Sequence, residues 1–187
     1  MSAYRKGEKE TMCSTTKGKI AGTLRHMMTE RPFQKITVQN LMDASGMKRQ
    51  SFYYHFQDTR DVLQWICRQE LLQPLEESEL EFEAWLLYGM ELLERDRVFY
   101  RRVAAVWGRE FVSALEEEVL RPRIARLFYD TEDFRRLDDG QTFCVRFGAK
   151  AVAAHALEFI NSRQSYDPAV VQTNLHCLLG TLKLNEA

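Results

Sequence analysis

One stretch of nine residues, KRQSFYYHF at 48–56, holds the side chains whose types and spacing point to a chemistry. Read at 100° per residue, Arg49, Gln50, Tyr53 and Tyr54 fall within an arc of about 140° on a helix. Phe52 and Phe56 lie away from the centre of that arc and are placed to anchor the helix. A guanidinium can pair bidentately with O6 and N7 of guanine, and a glutamine amide with N6 and N7 of adenine. Two phenols beside them can donate to phosphates or pack on a thymine methyl. The chemistry is recognition of duplex DNA through base edges and backbone. The same arc also fits the solvated face of an ordinary small helix, so the surrounding elements must decide between the two.

Those elements are short and well punctuated. A helix is predicted over about 16–30, with Ile20, Leu24, Met27 and Met28 on one face and Pro32 at its end. Thr37 is placed to cap a second helix carrying Val38, Leu41 and Met42, and Gly46 can take the left-handed conformation that stops it. The third helix runs from about Lys48 to His55. Asp58 then caps a fourth, with Val62, Leu63, Ile66, Cys67 and Leu71. Two short helices joined by a tight turn containing Gly fit a helix-turn-helix, in which the second helix enters the major groove. Pro74 and the acidic run Glu76–Glu83 are expected to close this part of the chain. The expected organisation is a flexible basic arm at 1–14, a DNA-binding part at 15–75 and a larger helical part at 76–187.

The charge agrees with that division. The whole chain has a net charge of −1, with 26 Lys+Arg and 27 Asp+Glu. Residues 1–75 hold 12 basic and 7 acidic side chains, a net of +5, and the remainder holds 14 and 20, a net of −6. A basic front and an acidic back separate two jobs, with any polyanion at the front. Arg5, Lys6 and Lys9 of the arm and Lys17 and Lys19 of the first helix could attract phosphates, each neutralised phosphate adding roughly 0.9 to the salt slope. A solubilising tail is the other reading of the arm.

The pattern resembles the DNA-binding domain of TetR-type bacterial transcriptional regulators. The matching residues are Thr37-Val38, Ala44-Ser45-Gly46, Phe52-Tyr53-Tyr54-His55-Phe56, and Asp58 leading to Val62-Leu63. With the flanking helix they span about 45 residues. The resemblance implies phosphate contacts at Thr37, Tyr53 and His55, and base-edge or groove contacts at Lys48, Arg49 and Gln50. It also implies a homodimer on a double-stranded DNA operator, built through the last two long helices. The chain departs from the family in having Lys48 where a small capping residue, often Ser, is usual. It also has Thr59 and then Arg60 where the fourth helix usually opens with a Lys. The wording KRQSFYYHF is similar to a subgroup that includes activators of dihydroxyacetone kinase operons, whose related regulator works with a sugar-sensing partner protein.

Beyond the boundary, helices are predicted at about 80–95, 98–108, 109–130, 141–163 and 168–184. The fold class is therefore all-α: an N-terminal three-helix helix-turn-helix domain followed by a larger helical dimerisation and ligand domain. Only nine Gly and four Pro punctuate the chain, too few for closely spaced strands. Residues 141–160 are rich in Ala and Gly, with Gly148, Ala151 and Ala154 on nearby turns, and Leu175, Leu178, Leu179 and Leu182 give the final helix an apolar face. An unknown small-molecule effector or a partner protein would act on this part. Tyr100, Trp107, Phe143, Arg146, Phe147 and His155 are the candidate pocket residues, although aromatics at helical spacing also fit a simple core.

Other function classes find little support. None of the motifs GxSxG, GxxxxGKT, GxGxxG or HExxH occurs, so no enzyme is expected. Cys13, Cys67, Cys144 and Cys177 are far apart without CxxC spacing, and are expected as reduced thiols acting as small hydrophobes. His155 and Glu158 alone do not make a metal site, and no cofactor is implied. No apolar run is long enough to cross a membrane, and the first residues lack a signal-peptide core, so a cytoplasmic protein is expected. The reading from a different class is a protein-interaction module or coactivator on the same scaffold.

Overall fold

The computed structural model describes residues 15–163 and 166–183, the side chains of Leu175 and of 178–183 excepted. The expected arm with Arg5, Lys6 and Lys9, and Cys13 beside it, lie outside the described residues. So do the side chains of Leu175, Leu178, Leu179 and Leu182.

The protein is all-α, with no strand among the described residues. Its helices are α1 (Thr16–Glu30), α2 (Val38–Ser45), α3 (Arg49–His55), α4 (Thr59–Cys67), α5 (Gln73–Glu76), α6 (Phe82–Glu94), α7 (Arg97–Ala114), α8 (Arg121–Tyr129), α9 (Asp139–Asn161) and α10 (Pro168–Lys183). No helix among the described residues is long and apolar enough to cross a membrane. The chain divides into two compact units, Met1–Gln69 and Glu70–Ala187.

In the first unit α1 packs on α2 and α4, and α2 packs on α3. Three of its helices, α1, α2 and α4, start on a side-chain cap. The Thr15 hydroxyl accepts from the Gly18 N–H at 3.0 Å, and Asp58 accepts from the Asp61 N–H at 2.8 Å. The Asp61 carboxylate in turn accepts from the Gln57 N–H at 3.0 Å. Thr37 and Asn40 form a capping box: the Thr37 hydroxyl accepts from the Asn40 N–H at 3.1 Å, and the Asn40 side chain accepts from the Thr37 N–H at 3.3 Å. After α2, Gly46 sits at φ 67° and ψ 23°, and the Met47 N–H reaches back to the Met42 carbonyl at 3.0 Å. That left-handed residue turns the chain sharply into α3, which an L side chain would resist. The core beneath is Ile20, Leu24, Met28, Leu41, Met42, Phe52, Val62, Leu63 and Ile66, all essentially inaccessible. Each contributes about 1.5–3 kcal/mol by burial.

Pro74 does not end a helix. The helix that begins at Thr59 runs on through a π-helical stretch, Arg68–Leu72, into α5, where Pro74 occupies the first turn. The wider π turn takes up the extra residue and spares a proline's missing N–H and bulky ring an ordinary i→i−4 site. The same device recurs in the second unit, where the π-helical stretch Leu115–Leu120 precedes Pro122 at the start of α8. The division predicted between 98–108 and 109–130 falls at a kink: Trp107 has non-helical backbone (φ −132°, ψ 27°), where two helices meet within Arg97–Ala114, and the second runs on to Tyr129.

In the second unit α9 lies against α7 and α8, and α10 against α6. The buried stripe of α9 is Val145, Ala149, Ala153, Ala156 and Ile160. Small side chains on that stripe let α7 approach closely. Around Trp85 the packing is polar as well as apolar: its indole N–H donates to the Leu75 carbonyl at 2.8 Å. The Arg123 guanidinium lies 5.3 Å from the Trp85 ring centre and donates to the Ser78 carbonyl at 3.1 Å. Burial first, and then neighbouring Arg126, lowers the pKa of Arg123 from its ordinary value.

Candidate nucleic-acid interface

The face proposed from the sequence is assembled on α3. Phe52 is completely buried and Phe56 nearly so, with ring centres 5.9 Å apart, and they fix the helix to the first unit. Phe56 also meets Trp65 of α4 edge-on, and the Lys17 ammonium of α1 lies 5.6 Å from its ring centre. With those two anchors buried, Lys48, Arg49, Gln50, Tyr53 and Tyr54 are all exposed. Tyr54 is 84% exposed and Tyr53 50%. His55 is half-buried, its ring edge-to-face with Tyr54 at 4.8 Å. The two aromatic pairs of the nonapeptide thus face opposite ways, one into the core and one out of it.

Thr37 is exposed at the start of α2. Its hydroxyl oxygen is engaged by the Asn40 N–H, which leaves the hydroxyl proton for an acceptor outside the chain. Lys48 occupies the N-cap of α3 without a side-chain hydrogen bond to the helix. The departure from the usual capping residue therefore leaves that helix start bare and the ammonium in solvent. Arg60, which follows Thr59 in the first turn of α4, is also exposed. Together these groups give a surface of donors and cations with one acceptor-donor amide, Gln50. Such a surface can bond phosphate oxygens and base edges.

Two features of this face go beyond the sequence reading. Asn40 completes the capping box, and the T-x-x-N spacing was the available signal. The Arg49 guanidinium donates from Nη2 to the Tyr53 hydroxyl at 3.1 Å, a contact that i,i+4 spacing permits but does not dictate.

The six candidate pocket residues are not brought together. Tyr100 and Trp107 are buried in the core of the second unit, where Phe111 lies between them with ring centres 6.2 Å from each. The Trp107 indole N–H is buried and finds no hydrogen-bond acceptor among the described residues. Phe143, Arg146, Phe147 and His155 are instead exposed on the outer face of α9. The reason is register: Val145, Ala149 and Ala153 take the inner face, so Phe143, Phe147 and His155, each two positions from one of them, are turned away. Cys144 is exposed on that helix too, and Cys177 on α10, so among the described residues only Cys67 is a buried thiol of the kind expected. Gly148 faces α8: a Cβ there would stand in ordinary van der Waals contact with the Ile124 side chain, at 3.5 Å. A small apolar cavity of about 40 Å³ does occur in this unit, lined by residues that include Leu71, Trp85, Gly89, Leu115 and Ala156, and by none of the six.

Phe143 and Phe147 are each 67% exposed and stacked, ring centres 6.1 Å apart. With the exposed Ala151 and Ala154 they give α9 a second apolar stripe opposite the buried one.

No protein-family model matches the chain. The chain is similar to the HTH-type dhaKLM operon transcriptional activator DhaS of Lactococcus lactis, at 24% identity over 175 residues, covering 90% of this chain and 91% of the relative. Among solved structures it is similar to a dihydroxyacetone kinase operon activator DhaS, with a TM-score of 0.68 and 22% identity, covering 90% of this chain and 97% of the other. Both are named as activators of an operon, not as enzymes, and the fold of this chain is the fold of that activator.

Proposed function

We propose that this protein is a homodimeric, sequence-specific DNA-binding transcriptional regulator of the TetR type. The observation that carries the reading is the division of α3, with Phe52 and Phe56 buried while Arg49, Gln50, Tyr53 and Tyr54 are exposed side by side. Thr37, Lys48 and His55 flank them as backbone contacts, and Gly46 sets the turn that presents α3. One seven-residue helix reads too few bases for useful specificity, and two copies on a palindrome solve this. The outer face of α9, with α10, supplies the second copy's seat. The similarity to DhaS, a dhaKLM operon activator, supports regulation of transcription as the outcome.

Control would come from the second unit, through a small-molecule effector or a partner protein. The buried Trp107 N–H, without an acceptor among the described residues, supports a ligand bearing one. Such a signal changes operator affinity only by its differential affinity for the two states of the regulator.

The test is an electrophoretic or anisotropy assay on the DNA upstream of the protein's own gene. Sequence-preferring binding that persists near physiological salt and is lost in Arg49→Ala/Tyr53→Ala is the expected result. Salt-labile binding without sequence preference would favour the second reading, an interaction module or coactivator. The bare start of α3 and the exposed Phe143–Phe147 pair are the observations on that side.

A further inference from the structure

Resting on the reading of α3 as a recognition helix, we propose that Tyr53 is a positioning residue for Arg49. It would set base choice through the arginine, besides any contact of its own with the DNA backbone. The Arg49 Nη2 donates to the Tyr53 hydroxyl at 3.1 Å, and the guanidinium carbon lies 5.5 Å from the ring centre of the same tyrosine. One side chain thus holds the guanidinium by both a hydrogen bond and a cation–π contact.

The support reaches back to the core. The Tyr53 ring stands edge-on to Phe52, with centres 5.4 Å apart and planes at 87°, and Phe52 is completely buried. Arg49 is the first residue of α3, the end of a recognition helix that reaches base edges. An exposed arginine there would otherwise sample many rotamers, and ordering it on binding would cost affinity for the cognate and non-cognate base alike. Held by Tyr53, it meets the groove in one orientation. One N–H is used on the phenol and the others remain for O6 and N7 of a guanine. The phenol oxygen accepts from Arg49 while its own proton stays available for a phosphate. A single hydroxyl therefore ties the register on the backbone to the reading of a base.

The full-length protein and a library of random duplexes provide the test, since motif selection needs no known operator. Wild type is expected to enrich a motif with a guanine position that Arg49→Ala loses. Tyr53→Phe keeps the ring and removes the hydroxyl, and its exposed position predicts an unchanged melting temperature. It should relax preference at that same guanine by about fivefold, the worth of one net hydrogen bond, beyond any uniform loss at all positions. In the double variant Tyr53→Phe should add nothing further at that position. Two outcomes would overturn the inference alone: a uniform loss in Tyr53→Phe with the guanine preference intact, or a wild-type motif that Arg49→Ala leaves unchanged. A wild type that enriches no motif would overturn both the regulator reading and this inference.

Discussion

Arg101 of α7 holds the end of α9 through two carbonyls: its Nε donates to Ile160 and its Nη2 to Ser162, both at 3.0 Å. The last carbonyls of a helix have no partner within it, and they carry the negative end of its dipole. A half-buried guanidinium satisfies two of them with one planar group and a positive charge. Ser162 is the C-cap, so the clamp also fixes where α9 stops. Arg101→Ala should lower the unfolding free energy by about 2 kcal/mol, as two charge-assisted bonds are lost and their acceptors left partly buried. Arg101→Lys, which keeps the charge but not the fork, should recover less than half of it. Urea titrations of the three proteins measure both.

Lys48 offers a prediction in which stability and binding move in opposite directions. It stands at the N-cap of α3 with no side-chain bond to the helix. Lys48→Ser supplies the missing cap and should stabilise the first unit by about 1 kcal/mol. If Lys48 meets a phosphate, the same change should weaken DNA binding and reduce the salt slope by roughly 0.9. A thermal melt and a salt titration of one variant read both signs. A raised melting temperature with an unaltered salt slope would remove Lys48 from the interface.

How much of this was legible in the sequence depends on whether the signal was local. Thr37, Gly46 and Asp58 announced their caps and turn because a cap is decided within three or four residues, and the structure has each where its spacing puts it. The arc of Arg49, Gln50, Tyr53 and Tyr54 was legible for the same reason, since 100° per residue sorts a seven-residue helix without outside help. Pro74 sits in a helix because proline's local rule is relaxed in a first turn, here the one that follows the π-helical stretch Arg68–Leu72. The division between 98–108 and 109–130 was legible too, since the backbone leaves helical geometry at Trp107. The candidate pocket failed to assemble because aromatic content does not say which stripe faces in. Two stripes compete on α9, and Val145–Ala149–Ala153 takes the core.

Tyr166 gives the second unit a dependence on alkaline pH. Its phenol is raised above the ordinary value by burial first, and then by Glu91 and Glu94. Its ring is edge-on to Phe159, whose other neighbour is the Arg97 guanidinium, 4.1 Å from the ring centre. A group raised in the folded state binds its proton more tightly there than in the unfolded chain. Its stabilising contribution is therefore fully present below about pH 10, the unfolded value, and is lost as pH rises through the higher folded value. Stability of wild type should fall more steeply above pH 10 than that of Tyr166→Phe. Spectrophotometric titration should show one tyrosine ionising late in the folded protein. Equal slopes for the two proteins would mean that the phenol is as well solvated folded as unfolded.

The stacked pair Phe143–Phe147 is the sharpest test of assembly. A single exposed aromatic needs no explanation, but two rings on successive turns of a helix whose opposite face is already buried make a continuous strip. If that strip seats a second copy, the two-fold axis brings the rings of both copies to one interface. At about 1.5 kcal/mol for each ring covered, the four contribute roughly 6 kcal/mol to the dimer. Phe143→Glu/Phe147→Glu should therefore be monomeric in sedimentation equilibrium at micromolar concentration. The helix content and melting of the monomer should survive, because neither side chain supports the core of its own unit. Operator affinity should fall at least tenfold, since a monomer reads one half-site and gains nothing from the other. A variant that stays dimeric would place the interface elsewhere. A monomer that keeps full operator affinity would show instead that one copy of α3 suffices for recognition.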